Sequence, residues 1–370
     1  MKAVAVPITL AVFLLCCLMC RIAFGAGPVS VEQPEQHDRS RDRYATISFG
    51  TQPLAMPIGV IGEVMRRDRI LRRALGEKGY RIYFHPFLKG SDISSLVARQ
   101  RIDAAMIGDM PTIVAASEFG IQAVALAKQG FSSIVTTGHY TMAGLKGKRI
   151  AYPPVSNAHY ALLSALAASG LKESDVKMVP MDVNRMVEAL ASKEVDAIAA
   201  WEPIPTIAVK TVDGAASIYR CLNSSYLVLG KGLAERHPDA AALIVASFFR
   251  ALDWMGKSER NLNRAAEWTL ASATRLQRGT IPLSAADIAL LTMQDAIGII
   301  SSPLIPTGEL QENGTIWKKF EFLKKEGKIP GCVSWSWARQ HFDRLLPSRV
   351  LRRPKAYQLE SFDYNGGSAD

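Results

Sequence analysis

Two serines that precede predicted helices are the residues of this chain best suited to binding a small anion. Ser156 begins a helix predicted to run through Ala168, and Ser91 opens what we take as the corresponding helix of an earlier unit. The first-turn N–H groups of a helix have no intrahelical partners, and the helix dipole places partial positive charge there. A tetrahedral or planar oxyanion could sit at such a point without a lysine or arginine. Ser156 could equally be an ordinary N-cap.

Other side chains near these helix starts are candidates for ligand contact. His159 would lie in the first helical turn, where a neutral ring can donate to an anion, although a structural role is also open. Trp201 is either core packing or an aromatic wall against the ligand. Asp109 and Glu202 suit an anion poorly, so they could face a hinge, hold backbone amides or receive a cationic group of the ligand, such as an amine. Gln52 enters only by the position of its loop.

These candidates belong to a unit that occurs twice in the chain. Residues 98–105 with 108–113 are nearly repeated by residues 191–198 with 201–207. Each copy follows an amphipathic helix with apolar residues at i, i+3, i+4 spacing, and each predicts a short buried strand that ends in an acidic residue and a proline. Two matching units predict two similar α/β lobes whose strand-end loops face each other across a crevice. Chance similarity of two short units is the alternative.

The order of predicted elements is that of a doubly wound α/β sheet. Strands are predicted at Tyr44–Phe49 and Tyr80–His85, with a long helix between them that begins near Pro57. A strand at Phe131–Thr137 would carry the chain out of the first lobe, and Ser225–Leu229 would return it. Two such connections form a hinge suited to closure around a ligand.

The remainder of the chain is predicted to be helical. Helical periodicity covers residues 240–255, 261–273, 284–297 and 315–325, and Ser284 with Asp287 forms a capping pair. We therefore divide the chain into a signal peptide, a flexible leader, the first part of lobe I, lobe II, the return to lobe I with C-terminal helices, and a tail. The boundaries are 1–25, 26–43, 44–134, 135–225, 226–346 and 347–370.

The first residues have the pattern of a secretory signal peptide. Lys2 precedes the apolar stretch Ala3–Met19, and the small-residue end Ala23-Phe24-Gly25 follows. A retained membrane anchor and lipidation at Cys20 are the alternatives. Pro7 interrupts the apolar run, no stop-transfer pattern follows it, and the residues before Cys20 are not small. We expect cleavage after Gly25 and export.

Charge and cysteine content restrict the function further. The formal net charge is +10, and it falls to about +8 once Lys2 and Arg21 leave with the leader. The basic residues are scattered, with the arginines of residues 66–73 on one predicted helix, and no nucleic-acid motif accompanies them. Only Cys221 and Cys332 remain in the mature chain, so a disulfide between them is possible but a metal-ligand cluster is not.

Several segments resemble the solute-binding proteins of nitrate-, sulfonate- and taurine-type ABC importers. The most specific is Leu145-Lys146-Gly147-Lys148-Arg149-Ile150, followed by the segment Pro154–Tyr160. The stretch Val195 to Pro203 is equally typical of the family, whereas the segments at residues 90–92, 108–111 and 317–330 match less closely. The resemblance extends from about Tyr44 to about Leu346.

The resemblance implies a two-lobed, type II periplasmic-binding-protein-like α/β fold, in which each lobe is a doubly wound sheet and the C-terminal portion is helical. It implies a monomeric periplasmic receptor without enzyme activity or cofactor, which captures a small anionic solute such as a sulfonate, taurine or nitrate. The receptor would deliver this solute to an ABC permease in the inner membrane and would not bind nucleic acid. The ligand-binding residues expected on this basis are Gln52, Ser91, Gly108, Asp109, Ser156, Asn157, His159, Trp201 and Glu202.

Other functions are compatible with the same fold. The ligand could be an aromatic carboxylate or a pyrimidine, or the protein could be a ligand-sensing receptor. The chain also resembles the pyrimidine synthases of thiamine biosynthesis, which look to depend on a cysteine-rich iron-binding run and a sacrificial histidine. The mature chain has no cysteine cluster, and no local signature identifies a nucleophile with its base.

Export generates a direct prediction. Mass spectrometry of the protein made in a Gram-negative host should show a mature N-terminus near Ala26, because the short apolar run ends in small residues that a signal peptidase accepts. An intact leader that retains Met1, or a diacylglyceryl group on Cys20, would contradict it.

Overall fold

The described strands form a single mixed sheet. The computed structural model describes residues 45–138 and 141–364; Tyr44 and the predicted signal peptide and leader lie outside this part of the chain. The sheet has eight strands in the order β2-β1-β3-β8-β4-β7-β5-β6. The strands are β1 (Ala45–Thr51), β2 (Tyr80–Pro86), β3 (Ala104–Gly108), β4 (Gln122–Thr137), β5 (Arg149–Tyr152), β6 (Lys177–Pro180), β7 (Ala197–Trp201) and β8 (Ala215–Leu229).

The two long strands β4 and β8 pair antiparallel along almost their whole length. They lie next to each other in the middle of the sheet, between β3 and β7. The last residue of β3, Gly108, pairs with Ser225 of β8. The last residue of β7, Trp201, pairs with Ser132 of β4. Residues 129–131 and 222–224 lie between these two pairings. The sequence-predicted exit and return strands are thereby confirmed, and the fold is two-lobed.

Helices cover the sheet and complete the C-terminal portion. Every C-terminal helix predicted from periodicity is present, and Ser284 and Asp287 form the predicted capping box. The helices are α1 (Ile58–Arg66), α2 (Arg69–Glu77), α3 (Gly90–Ala98), α4 (Asp109–Phe119), α5 (Asn157–Ala168), α6 (Val183–Ala191), α7 (Ile204–Thr211), α8 (Lys231–Arg236), α9 (Pro238–Lys257), α10 (Glu259–Gln277), α11 (Ala285–Ser301), α12 (Thr315–Lys325), α13 (Trp335–Arg339) and α14 (Leu345–Leu351).

None of the helices that the structure describes is both long enough and apolar enough to span a bilayer. Cys221 and Cys332 are both free thiols, so the disulfide left open by the sequence is not formed.

The repeated sequence unit is a repeated structure. In the first copy the Asp103 carboxylate accepts the backbone N–H of Ser48 on β1 at 2.8 Å. In the second copy the Asp196 carboxylate accepts the backbone N–H of Arg149 on β5, also at 2.8 Å. Each aspartate therefore anchors the start of one buried strand to its parallel neighbour, and chance similarity does not explain the match.

The internal repeat corrects one sequence-based correspondence. Helix α5 follows β5 as α1 follows β1, whereas α3, which contains Ser91, follows β2 as α6 follows β6. Ser91 therefore does not begin the counterpart of the helix that Ser156 caps. The two serines come from different positions of the repeated α/β pattern.

The single long helix predicted from Pro57 onwards is also wrong, because the chain breaks it at Asp68. Helix α1 ends at Arg66, and the Asp68 carboxylate accepts the N–H of Leu71 at 3.0 Å, which makes Asp68 the N-cap of α2. The same carboxylate is fully buried and receives two bonds from Arg250, at 2.6 and 3.0 Å. The arginines of residues 66–73 are consequently divided between two helices.

Replacing Arg250 with Met should destabilise the fold strongly. The substitution leaves the Asp68 carboxylate buried without its positive partner, and breaking such a pair typically costs about 3–5 kcal/mol. The measurement is the urea midpoint of unfolding. Lys257→Gln is the control, because Lys257 lies 3.3 Å from Asp253 in an exposed pair whose loss should change stability by less than about 1 kcal/mol. Equal midpoints for the two variants would show that the buried pair does not stabilise the protein.

Candidate functional site

A narrow cavity lies at the strand ends between the two lobes. Six of the predicted ligand-binding residues line this cavity: Gln52, Ser91, Gly108, Ser156, Asn157 and Trp201. The other lining residues are Ala55, Met56, Ile58, Lys89, Gly90, Pro111, Lys128, Val155 and Ser225. The space open to the centre of a water-sized group is about 30 Å³, which is room for a compact group only.

The start of α5 forms one wall of this cavity. Ser156 is the N-cap of the helix: its Oγ accepts the N–H of His159 at 3.2 Å and donates to the carbonyl of Pro153 at 2.6 Å. The ordinary capping role is thus confirmed, and the hydroxyl is already committed to the protein. The first-turn N–H groups of Asn157 and Ala158, which a helix cannot satisfy internally, are the donors that remain for an anion.

Asn157 connects this wall to the opposite lobe. Its Oδ1 accepts the N–H of Met110 at 3.3 Å, and its Nδ2 donates to the carbonyl of Ser224 at 3.1 Å. Gly108 makes the approach possible, because a Cβ on this residue would lie 2.5 Å from the Asn157 Oδ1. The backbone N–H of Met56 donates to the carbonyl of Glu202 at 3.0 Å and adds a second contact across the crevice. The described structure is therefore a closed one.

Two lysines line the cavity, and the sequence analysis missed both. Lys89 precedes α3 and donates through Nζ to the Asp182 carboxylate at 3.0 Å. Lys128 lies in β4, is almost fully buried, and its Nζ is 3.3 Å from an Asp295 carboxylate oxygen. The sequence analysis required no lysine for an anion site, and the structure adds two to the cavity lining. A lone lysine directly after the apolar run Ala123–Ala127 is the sequence signal that could have identified Lys128.

Trp201 combines core packing with a position at the cavity. It ends β7, where it pairs with Ser132, and only 8% of the residue is exposed, so it belongs to the core. It also lines the cavity, and its buried Nε1–H has no acceptor among the described residues. An unsatisfied buried donor at a cavity is costly unless a ligand supplies an acceptor.

Asp109 and Glu202 do not reach the cavity and hold protein groups instead. The Asp109 carboxylate accepts the N–H of Ser224 at 2.8 Å and forms a buried ion pair with Lys319. The Glu202 carboxylate accepts the N–H of Thr206 at 3.3 Å, and burial raises the pKa of its carboxyl. Of the roles proposed for these acids, the structure matches the one of holding backbone amides.

His159 lies behind the cavity wall rather than on it. Its Nδ1 accepts the N–H of Val155 at 3.3 Å, and its ring packs on Tyr152 with the centroids 4.6 Å apart. Val155 lines the cavity with a φ of 52°, a strained conformation for a β-branched residue. His159 therefore supports the loop before α5, and burial together with Lys328 lowers its pKa to about 4.

The fold and the cavity together define a class of protein. Two α/β lobes joined by paired strands, with a cavity at the strand ends between them, are the architecture of two-lobed periplasmic-binding-protein-like folds. The chain belongs to the NMT1-like family, whose model matches residues 76–271.

One curated protein and two solved structures are similar to this chain, the structures in fold. The taurine-binding periplasmic protein of Escherichia coli (strain K12) is 25% identical over 275 residues, which are 70% of this chain and 82% of that protein. The periplasmic aliphatic sulphonate binding protein SsuA from Escherichia coli has a TM-score of 0.61 at 21% identity, covering 82% and 99% of the two chains. The desulfurization enzyme DSZB has a TM-score of 0.55 at 14% identity, covering 85% and 99%. Because one fold serves binding and catalysis, function must be argued from the site.

The buried His159 ring should make stability depend on pH. In the unfolded chain the ring gains a proton near pH 6.5, whereas in the folded protein it stays neutral until about pH 4. Stability therefore falls as the pH decreases through this window, by up to about 3 kcal/mol. We expect the urea midpoint to fall less steeply between pH 6.5 and 4 in His159→Gln. The same slope in both proteins would show that the ring is protonated equally in the folded and unfolded states.

Proposed function

We propose that this protein is an extracytoplasmic solute-binding receptor, which captures a small oxyanion between its two lobes and delivers it to an ABC-type permease. The observation that carries the proposal is the composition of the cavity: two lysines and the first turns of two helices line it, and no lining residue is acidic. Membership of the NMT1-like family and the similarity to a taurine-binding periplasmic protein support it.

The donors around the cavity suit an oxyanion such as a sulfonate, with nitrate as a smaller relative. First-turn N–H groups of α3 and α5 and the ammonium groups of Lys89 and Lys128 supply positive potential from both lobes. The Nε1–H of Trp201 supplies a further donor that the protein leaves unsatisfied. An oxyanion would satisfy these groups together, whereas a neutral pyrimidine would bring no negative charge to the two lysines.

The domain boundaries predicted from the sequence form part of this proposal. Lobe I comprises residues 44–134 and the return segment 226–346, and lobe II comprises residues 135–225. The residues between the pairings of β3 and β7 act as the hinge, where two strands bend together. We propose that residues 1–25 are removed on export to the periplasm, and that the receptor acts as a monomer.

We propose no catalytic activity, because Ser156 at the cavity and His159 behind its wall are not arranged as nucleophile and base. The Ser156 hydroxyl donates to a backbone carbonyl, and the His159 Nδ1 accepts from a backbone N–H. Neither side chain is poised to take a proton from the other, which acyl-transfer chemistry requires.

Calorimetry and thermal shift test the proposal directly. The purified protein is titrated with alkanesulfonates, taurine, nitrate, aromatic carboxylates and pyrimidines, and a ligand bound only by the folded state raises the melting temperature. Binding of a sulfonate or nitrate is expected. Binding of a pyrimidine or aromatic carboxylate alone would replace the oxyanion with the alternative ligand class, and failure of every compound would remove the proposal.

Closure over the ligand is tested by Gly108→Ala. The added methyl would clash with the Asn157 side chain across the crevice, so we expect the lobes to stay apart and sulfonate affinity to fall at least about tenfold. Small-angle scattering should then show a larger radius of gyration. Gly76→Ala in α2 is the matched control, because its methyl meets no atom within 4 Å. Equal affinities for the two variants would show that this contact is not needed for binding.

A further inference from the structure

We infer that the cavity selects an anion without an ammonium group, so that the protein binds an alkanesulfonate in preference to taurine. The inference rests on the proposed function and specifies its ligand class. It separates this chain from the relative named for taurine binding, with which it shares 25% identity.

The positive charges at the cavity belong to the protein. Lys89 precedes α3 and Lys128 lies in β4, and both residues line the same narrow space. Their carboxylate partners Asp182 and Asp295 are not among the lining residues, so the charged residues of the lining are both positive and a ligand ammonium would add a third positive charge. A methyl group at the same position would add no charge.

The carboxylates near the cavity are already engaged. Asp295 lies 3.3 Å from the Lys128 Nζ, and Asp182 accepts from the Lys89 Nζ at 3.0 Å, with Asp92 3.9 Å from the same ammonium group. Asp109 is held by Lys319 and by a backbone N–H, and Glu202 by another backbone N–H. None of these acids is among the residues that line the cavity, so a ligand ammonium would meet no free carboxylate there.

The uncharged lining groups also favour oxygen over ammonium. Gln52 uses its Nε2 to donate to the carbonyl of Met106 at 2.9 Å, and this bond fixes the amide in place. An aromatic face can receive a cation, but the unsatisfied polar atom of Trp201 is a donor, Nε1–H, which requires an acceptor. Sulfonate oxygens are acceptors, and an ammonium group is not.

The decisive comparison uses 1-propanesulfonate and taurine, which are nearly isosteric and differ by a methyl in place of the ammonium group. Isothermal titration calorimetry of the unaltered protein at pH 7 should give at least about tenfold tighter binding of 1-propanesulfonate, equivalent to 1.4 kcal/mol. Taurine binding as tight or tighter would overturn the inference and leave the proposed receptor function standing. Failure of both compounds and of the other oxyanions would overturn the proposed function itself.

A charge variant tests the cause of the selectivity. Lys128→Gln combined with Asp295→Asn removes the buried lysine and its partner together, which avoids an unpaired buried carboxylate. We expect 1-propanesulfonate to bind at least about tenfold more weakly and the preference over taurine to shrink, because one repelling ammonium is gone. Lys257→Gln, which removes an exposed lysine paired with Asp253, is the matched control and should change neither affinity. An unchanged preference in the Lys128 variant would show that the cavity charge does not set the selectivity.

Discussion

The antiparallel pairing of β4 with β8 is the constraint on which the rest of the structure depends. Both lobes attach their remaining strands to this pair, and the cavity lies beside the stretch where neither β3 nor β7 reinforces it. The buried Asp109 carboxylate fixes this stretch, because it accepts the N–H of Ser224 on β8 and pairs with Lys319 on α12. Helix α12 of the C-terminal portion is therefore tied directly to the proposed hinge.

The same stretch connects the hinge to the charge of the cavity. Lys128 comes directly before residues 129–131, the part of β4 that lies between the pairings of β3 and β7. Its partner Asp295 lies on α11, over Gly130. A Cβ on Gly130 would come within 2.0 Å of the Asp295 carboxylate, so only glycine permits this approach. Helix α11 of the C-terminal portion therefore holds a lysine of the cavity lining through Asp295.

Local patterns in the sequence were sufficient for most of the fold. The β-α-β order, the repeated unit and the C-terminal helices depend on periodicity and capping within short segments, and these were predicted correctly. The helix break at Asp68 was missed, because it depends on Arg250, which lies far along the chain. Lys128 was missed for the same reason, because its partner Asp295 lies far along the chain. The structural role that the sequence left open for His159 is the one that the structure shows, through its local bond with Val155.

Closure and ligand recognition are coupled through contacts that cross the crevice. In the closed structure Asn157 bonds to groups of both α4 and β8, and Lys89 of lobe I bonds to Asp182 at the start of α6 in lobe II. These bonds stabilise the closed form even without a ligand. An oxyanion would therefore need to supply only the free-energy difference that remains between the open and closed forms. An anion that draws Lys89 away from Asp182 would exchange one contact across the crevice for another. Under the proposed function, ligand charge would therefore affect both how tightly the solute binds and how firmly the lobes stay together.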